Sequence, residues 1–553
     1  MMDESKPAFG SCGDIVALFL IVAYALAAYR GVVDISAVGA SLDSDLGIYA
    51  AASALEDLPS YFLHDPMTVA NSHSFGNVER LLGQWLAPDG EYGLGLLRVG
   101  GLTVALFYLG WYVLGRWLFG SPGLAGICSI VMGISCWVGW GTFWGVVNSD
   151  PVPRVLFAAL FPFLLLGGMA ALARPWARPL VMLAAGLGVW VHNISALATG
   201  AMFFMAFALH RKPLSWRWHS VVLVMCLVAF FVPVLLAIEP LLTQRQALSP
   251  EDMEVFRALF HIRFGAIYGN LTDGLKDYLW QYTVLIPLFP LACIGGGLGI
   301  SRRFGTGGRV HALAAMYPGM LVALCCITLV SVMEFRWAGD MGRLPLGQDL
   351  IRGTRFLIPL AWLMIVAGLA CFWARIRTVF RVLAVGLLAV VVLLVNEGSW
   401  NMGALYSLRE AGIVLPVQEK AAALQHTNEL RREALEALRA LTRPGDVIMS
   451  DSGEPAIRHV ALRGLFYSFK DGLYPYYAKN IQSARRWLRL TTAMRRHETA
   501  YISIWQEAGV PWLLCSRPQD REGLAACGEV VWSNAGWLVV RRQEARQGLG
   551  GAG

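Results

Sequence analysis

The sequence predicts an α-helical polytopic membrane protein with a soluble α/β domain at its C-terminal end. Of its 553 residues, 56% are hydrophobic and 15% are charged, whereas soluble domains carry about 25% charged residues. Apolar runs that reach or approach the roughly twenty residues needed to cross a bilayer recur as far as residue 396. The net charge of +7 does not indicate nucleic-acid binding, because the basic residues cluster in short loops between these runs.

The apolar runs predict about eleven transmembrane helices. They span residues 13–31, 94–115, 121–143, 152–172, 178–192, 195–210, 219–238, 281–300, 312–333, 355–373 and 378–396. The fifth and sixth runs are short, and only His192 and Asn193 separate them. The leader contains Asp3 and Glu4 rather than a basic cluster, so we expect the first run to be an uncleaved span and not a signal peptide.

The charges of the loops predict the orientation of these helices. Twelve basic residues and no acidic ones occupy one set of loops: Arg116, Arg174, Arg178, Arg211, Lys212, Arg217, Arg302, Arg303, Arg309, Arg375, Arg377 and Arg381. The opposite set begins with residues 33–92, where nine acidic residues accompany Arg80 alone. Because basic loops stay in the cytoplasm, we expect a cytoplasmic N-terminus and an outward-facing C-terminal domain. In a bacterium, this means the inner membrane and the periplasm.

Three outward segments are long enough to form structure of their own, namely residues 33–92, 239–280 and 334–355. Helical spacing over about 46–63 and 75–87 predicts two short amphipathic helices, which His64, Asp65 and Pro66 separate. Helices of this kind lie in the membrane interface with their aromatic side chains toward the lipid.

Residues 401–553 predict a separate soluble domain beside a transmembrane domain of residues 1–400. A charged amphipathic helix over about Val417–Leu441 ends before Pro444 and Gly445. Short β-like runs and two further helical stretches follow it. The β-like runs are 447–450, 464–469, 512–515, 529–532 and 536–541, and the helical stretches are 480–495 and 499–508. Strands that alternate with helices favour an α/β domain.

The triplet Asp43-Ser44-Asp45 follows the first span at the start of the acidic outward loop. One carboxylate could act as a general base for an attacking hydroxyl. Alternatively, the pair could hold a divalent cation such as Mg²⁺ or Mn²⁺. Ser and Asp are also ordinary turn residues, so a solvated loop is the structural alternative.

The order of these features resembles the C-type (GT-C) glycosyltransferase superfamily, in particular its uncharacterised bacterial multi-pass members with a periplasmic C-terminal domain. Asp43-Ser44-Asp45 is similar to the Asp-x-Asp motif that the superfamily places in its first outward loop, and Asp150 matches a second acidic residue in the next one. The resemblance implies a GT-C-like fold and catalytic roles for Asp43, Asp45 and Asp150. It also implies transfer of a sugar from a polyprenyl-phosphate-linked donor to a periplasmic glycan, lipid or protein.

A phosphate-bearing donor directs attention to arginine, whose planar guanidinium can bind phosphate oxygens in pairs. Arg352 and Arg355 share a helical face as the tenth span begins, and Arg154 lies four residues after Asp150. An ion pair with Asp150 is the alternative for Arg154. Four further residues could bind substrate or have ordinary structural roles: His64, Asp65, His192 and Lys470.

Two other functions remain open from the sequence. The chain could be a non-catalytic membrane subunit of an envelope polysaccharide assembly complex, in which case the carboxylates would face bulk water. It could also be a transporter, but transporters keep ionisable groups near the middle of helices and often contain inverted repeats. Here the charges concentrate at the ends of the spans and no repeat is visible. Cys515 and Cys527 lie in the outward domain, and we expect a disulfide between them.

Overall fold

The computed structural model describes most of the chain. The described ranges are residues 10–42, 44–66, 78–139, 142–146, 152–211, 213–243, 249–264, 309–341, 344–345, 347–396, 398–410, 412–472, 475, 480–496 and 499–543. Asp43, Asp150 and the predicted span 281–300 lie outside these ranges. The order of elements in the described residues is mostly helical, with one small hairpin and one five-stranded sheet.

Eight helical segments of the described residues are long and apolar enough to cross a membrane. They correspond to helices α1 (Cys12–Ile35), α4 (Tyr92–Phe119), α6 (Pro153–Ala173), α8 (Val189–Leu209), α9 (Trp216–Thr243), α11 (Arg309–Asp340), α12 (Leu357–Trp373, with the 3-10 turns Gln348–Phe356 before it) and α13 (Thr378–Val395). Between and around them lie α2 (Ser44–Asp57), α3 (Val78–Trp85), α5 (Pro122–Met132), α7 (Arg178–Leu187) and α10 (Pro250–Phe264). The chain is therefore a polytopic α-helical membrane protein, as predicted.

The predicted third span, 121–143, is wrong in its second half. Helix α5 has 11 residues and is only about 16 Å long, roughly half of the hydrocarbon thickness. The chain then forms an antiparallel hairpin of β1 (Cys136–Gly139) and β2 (Thr142–Trp144). Trp144 is 1% exposed and its ring lies 6.0 Å from that of Trp111. The aromatic residues of these two strands look like the end of a span in the sequence, but they belong to a hairpin, from which Trp144 packs into the protein interior.

The predicted fifth and sixth spans meet at His192, as their short lengths indicate. Helix α7 has 10 residues, and α8 contains a break at His192, whose φ is −156° and ψ is 109°. The imidazole Nδ1 accepts the Ser195 amide at 3.2 Å, and the Asn193 carboxamide oxygen accepts the Ile194 amide at 2.8 Å. These side chains cap a new helix start, so that His192 lies at a helix end.

The ends of α1, α4, α5, α11 and α12 that adjoin the basic loops meet at one end of the bundle. Arg116 Nε donates to Asp14 Oδ1 at 2.8 Å, and Trp373 Nε1 donates to Ser121 Oγ at 3.1 Å. Arg309 Nη1 donates to the Trp117 carbonyl oxygen at 3.2 Å. Three of the basic loops therefore lie at the same end, as the charge pattern predicts, while the assignment of this end to the cytoplasm stays a prediction.

After α13 the chain returns to α1 through helix α14 (Ser399–Ser407). The two helices approach so closely that a Cβ atom added at Gly31 would lie 1.9 Å from the carbonyl oxygen of Gly403. Only glycine fits such a contact between backbones. Asn428, in the following helix, donates from Nδ2 to the Ile35 carbonyl oxygen at 2.6 Å. These contacts attach the C-terminal part of the chain to the end of α1 opposite the basic loops.

The C-terminal part forms a five-stranded mixed sheet in the order β4-β3-β5-β7-β6. Its strands are β3 (Val447–Ser450), β4 (Gly464–Leu465), β5 (Trp512–Cys515), β6 (Gly528–Ser533) and β7 (Leu538–Arg542). Strands β3, β4 and β5 are parallel, whereas β7 pairs antiparallel with β5 and β6. The helices are α15 (Val417–Leu441), α16 (Ala456–His459), α17 (Ile481–Arg496), α18 (Ala500–Ala508) and α19 (Arg521–Ala525).

Candidate functional site

Asp45 lies at the start of α2 and contacts two cations from distant parts of the chain. Lys470 Nζ donates to Asp45 Oδ1 at 2.6 Å, and Arg154 Nη1 lies 3.9 Å from Oδ2. The Asp45 side chain is 37% exposed, so solvent or a ligand can still reach it. Asp43 and Asp150, the other two predicted catalytic residues, lie outside the described residues.

The charges around Asp45 control its protonation. Burial raises the pKa of Asp45, but the charges of Lys470, Arg154 and Arg263 outweigh that effect and hold the pKa below its ordinary value of 3.8. Arg263 comes from the end of α10. Asp45 is therefore ionised at neutral pH, and its basicity depends on the cations that surround it.

Arg154 lies in the first turn of α6 and is held over an aromatic ring. Its guanidinium carbon lies 4.4 Å from the centre of the Phe143 ring, which belongs to the second strand of the hairpin. A cation over an aromatic face gains about 0.5–2 kcal/mol and loses some conformational freedom. The unpredicted hairpin thus has a direct part in placing a site residue.

Arg355 lies in the 3-10 turns just before α12, beside the break in α8. It is 3% exposed, and its Nη2 approaches His192 Nδ1 at 3.3 Å and donates to Ser195 Oγ. The Ser195 amide also donates to His192 Nδ1. Because Nδ1 accepts these hydrogen bonds, the neutral imidazole has its proton on Nε2.

Five basic side chains and Asp45 form one electrostatically connected group. Arg355 interacts electrostatically with Arg154 and Arg352, and Arg154 interacts with Asp45. Arg352 Nε also lies 3.3 Å from Asp349 Oδ1, which offsets part of its charge. We call the five basic residues of this group the cationic cluster: Arg154, Arg263, Arg352, Arg355 and Lys470. Four of its members were predicted as site residues, and the structure brings them together from three segments of the chain.

Lys470 reaches Asp45 from a short 3-10 helix, Phe469–Gly472, that follows β4. The Phe469 ring lies between two guanidinium groups, 5.3 Å from the Arg263 carbon and 5.1 Å from that of Arg495. The Lys470 amide donates to Ser468 Oγ at 3.3 Å. The backbone and the ring before the lysine are therefore fixed by neighbouring elements.

Asp65 does not face this site. It is wholly buried, and both of its carboxylate oxygens accept from Arg458, at 2.8 and 2.9 Å. Arg458 also donates to both oxygens of Asp471 at 2.8 Å. Burial alone would lower the pKa of Arg458, but these two carboxylates raise it well above its ordinary value. Of the two roles left open for Asp65, these contacts favour the structural one, and substrate binding by Asp65 or by the exposed His64 stays a prediction.

The described surroundings of Asp45 do not fit a divalent cation. Its oxygens face Lys470 and Arg154, and like charge would repel a metal ion. In the part of the chain that the structure describes, no group of three His, Cys, Asp or Glu residues could hold a metal. The expected partner carboxylate, Asp43, lies outside that part, so a metal held by Asp43 and Asp45 stays an untested hypothesis.

The expected disulfide between Cys515 and Cys527 is absent, and both thiols are free. Cys515 is buried and lies 3.4 Å from the Tyr501 hydroxyl. The Cys527 thiol instead donates to the Gly523 carbonyl oxygen, four residues earlier. The two side chains thus have separate partners within the sheet region.

Sequence reasoning did not identify Arg263, Arg458, Ser195 or Phe143 as parts of this region. Only Ser195 carried a readable signal, since it lies three residues after His192 and hence on the same helical face. Arg263 and Phe143 are recognisable only once α10 and the hairpin are placed.

Comparison with known proteins gives structural matches only. No protein-family model matches the chain, and no curated protein does. The chain is similar to ArnT from Cupriavidus metallidurans bound to undecaprenyl phosphate, with 14% identity, coverage of 96% and 98% of the two chains and a TM-score of 0.36. The apo state of that ArnT matches with 14% identity, coverage of 94% and 97% and a TM-score of 0.31.

A third match is the oligosaccharyltransferase of Archaeoglobus fulgidus tethered to an acceptor peptide. It has 14% identity, coverage of 95% of this chain and 74% of that one, and a TM-score of 0.38. With identities and TM-scores this low, these matches carry no argument about family or activity.

Proposed function

We propose that this protein is a membrane glycosyltransferase. It transfers a sugar from a polyprenyl-phosphate-linked donor to an acceptor at the outward face of the membrane. The observation that carries this proposal is the contact of Asp45 with Lys470 and Arg154, inside a cluster of five cations that span ends, helix α10 and the C-terminal sheet region contribute. A carboxylate beside an anion-binding group is the combination that such a transfer requires.

The cationic cluster has the chemistry of a donor phosphate site. Arg355 is buried among His192, Ser195 and the start of α12, where a guanidinium can bind phosphate oxygens in a fixed geometry. Arg154 and Lys470 lie between the membrane helices and the C-terminal sheet region. A phosphate held here would leave its polyprenyl chain beside apolar helix surfaces. The cations would also stabilise the charge that develops on the leaving phosphate.

Asp45 has the position of the general base in this proposal. In the described state, its pKa is held low by the same cations that would bind the phosphate. A bound phosphate would draw Lys470 and Arg154 toward its own oxygens, and the Asp45 carboxylate would become more basic. Donor binding and activation of the acceptor hydroxyl are coupled in this way, so that the base becomes effective only when a donor is present.

The experiment uses the full-length protein in detergent or nanodiscs with undecaprenyl phosphate as the probe. We expect saturable binding that weakens about ten- to a hundredfold in Arg355→Gln, the usual effect of losing a charge-assisted hydrogen bond. Arg463→Gln is the matched control, because Arg463 is also buried, at 4% exposure, and lies outside the cationic cluster. If the wild-type protein does not bind the lipid, or if both variants lose binding equally, the proposed donor site is wrong.

Activity is tested by supplying polyprenyl-phosphate sugars to membranes that contain the protein and measuring sugar transferred to endogenous glycan, lipid or protein. Transfer that depends on Asp45 supports the proposal. A protein that binds the lipid but shows no transfer with any donor would favour the non-catalytic subunit.

A further inference from the structure

The residue that contacts Asp45 most closely belongs to the C-terminal sheet region and not to the membrane bundle. Lys470 follows β4 by only a few residues, and its neighbour Asp471 is bonded to Arg458. Arg458 in turn binds Asp65, which lies in the same segment 33–92 as Asp45. Arg458 therefore connects this segment to the 3-10 helix Phe469–Gly472, which carries Lys470 and which we call the lysine turn.

Arg458 is almost fully buried and binds two carboxylates at once. Its side chain is 1% exposed, and four hydrogen bonds of 2.8–2.9 Å join it to Asp65 and Asp471. Asp65 Oδ2 also accepts the Leu465 amide at 2.7 Å. Asp65 thus holds both the end of β4 and the arginine that holds Asp471. A buried arginine with two bidentate carboxylates has little freedom to move.

Removing a partner from such a buried group is costly because a desolvated charge remains. Hydrophobic packing could hold the sheet against the bundle without any of these charges. The hydrogen bonds among Asp65, Arg458 and Asp471 also fix the position of Asp471, the residue next to Lys470. This is the role of the supporting residues that keep a reactive group in place.

We propose that Arg458 is a positioning residue, which, through Asp471 and Asp65, sets the distance between Lys470 and Asp45. The consequence for activity rests on the proposed glycosyl transfer, but the consequence for geometry does not. The C-terminal region is then part of the active site rather than an accessory domain, and the group Asp65–Arg458–Asp471 links it to the outward loop.

The chain offers a matched control in Arg463. This residue is also buried, at 4% exposure, and donates to Thr442 Oγ1 and to the carbonyl oxygens of Arg439, Thr442 and Leu462. Its bonds do not include Asp65 or Asp471. Arg458→Met and Arg463→Met therefore remove similar buried cations from the same region, and only the first adjoins the lysine turn.

The geometric test measures proximity directly. In the double variant Asp45→Cys/Lys470→Cys, a short bifunctional thiol reagent should join the two positions, whereas the single-cysteine variants report reaction of the native cysteines. Adding Arg458→Met should lower the cross-linked fraction several-fold, and adding Arg463→Met should leave it near the starting value when compared at equal amounts of folded protein. Equal cross-linking in all three backgrounds would overturn the proposal, whatever the activity of the protein.

The functional test is a double-mutant cycle on kcat/KM for transfer, normalised to folded protein. Arg458→Met should cost about a hundredfold, the effect of a misplacement of about 1 Å, and should add little in a Lys470→Gln background. Arg463→Met should cost the same factor in both backgrounds. If Arg458→Met also costs the same factor in both, Arg458 is structural only. If wild-type transfer is never observed while the cross-linking result holds, the proposed function fails and the positioning role stands.

Discussion

The Lys470 ammonium lies 2.6 Å from Asp45 although 425 residues separate them in the sequence. The two residues come from different kinds of structure, since Asp45 lies in the first turn of α2 and Lys470 follows a strand of the C-terminal sheet. The carboxylate is thereby kept ionised next to a group of cations.

Asp45→Asn should abolish transfer without preventing membrane insertion. The amide has the shape of the carboxylate but is not a general base, and a general base contributes about 10²–10⁴-fold to the rate. Sugar transfer in membranes from matched expression levels measures this, with size-exclusion behaviour as the check on folding. Asp252→Asn is the control, because Asp252 pairs with Arg485 on the surface of α10. Near-normal transfer by Asp45→Asn would make the residue a helix start without a catalytic role.

The stability contribution of Asp45 should disappear in acid. Its folded-state pKa lies below the ordinary value of 3.8 because of Lys470, Arg154 and Arg263. A lowered carboxyl pKa stabilises the folded state at pH values above the ordinary pKa, and this stabilisation is lost as the pH falls through the folded-state pKa. The difference in thermal unfolding midpoint between wild type and Asp45→Asn should therefore shrink from about pH 6 to about pH 3. A constant difference would mean that Asp45 is not paired with these cations.

Chelation should leave transfer unchanged. The cations around Asp45 supply the positive charge that a metal would otherwise provide to the leaving phosphate. Transfer is measured after EDTA treatment and again after addition of Mg²⁺ or Mn²⁺. A loss with EDTA that either ion restores would contradict this expectation and favour a metal site formed by Asp43 and Asp45.

A reporter that is active only outside the cytoplasm should be active when fused after Gly553. The same reporter fused after Arg377, in the loop between α12 and α13, should be inactive because that loop belongs to the basic set. Both fusions must be matched for expression. The reverse pattern would place the cationic cluster on the cytoplasmic side and remove the outward active site.

Local patterns predicted those parts of the fold that local interactions determine. Helix α15 begins and ends at the predicted residues, Val417 and Leu441, because its charged amphipathic pattern stops at a Pro-Gly pair. The hairpin of β1 and β2 was missed because hydrophobicity alone does not distinguish an aromatic hairpin from the end of a span. Its inward packing becomes visible only when Trp111 and Phe356 are placed beside it.

The sequence predicted only part of the candidate site, because several of its contacts join residues that are far apart in the chain. Arg154, Arg352 and Arg355 were identified because cations near span ends fit a phosphate, and Lys470 was identified only as a possible substrate-binding residue. For Asp65 the sequence left both substrate binding and a structural role open, because its partner Arg458 lies 393 residues away and one sequence carries no sign of that pairing. The same distance in sequence hides the role of Arg458.

The contact of Gly31 with Gly403 has a consequence for biosynthesis. The α1 face that contains Gly31 finds its native partner only after the ribosome has made α14, about 20–70 s later at usual elongation rates. Until then, this face of α1 must contact lipid, the insertion machinery or a chaperone. The bundle lacks α14 along that side. Lys470 emerges later still, so the cationic cluster is completed near the end of translation. A nascent chain stalled after α13 would therefore be inserted in the membrane but inactive.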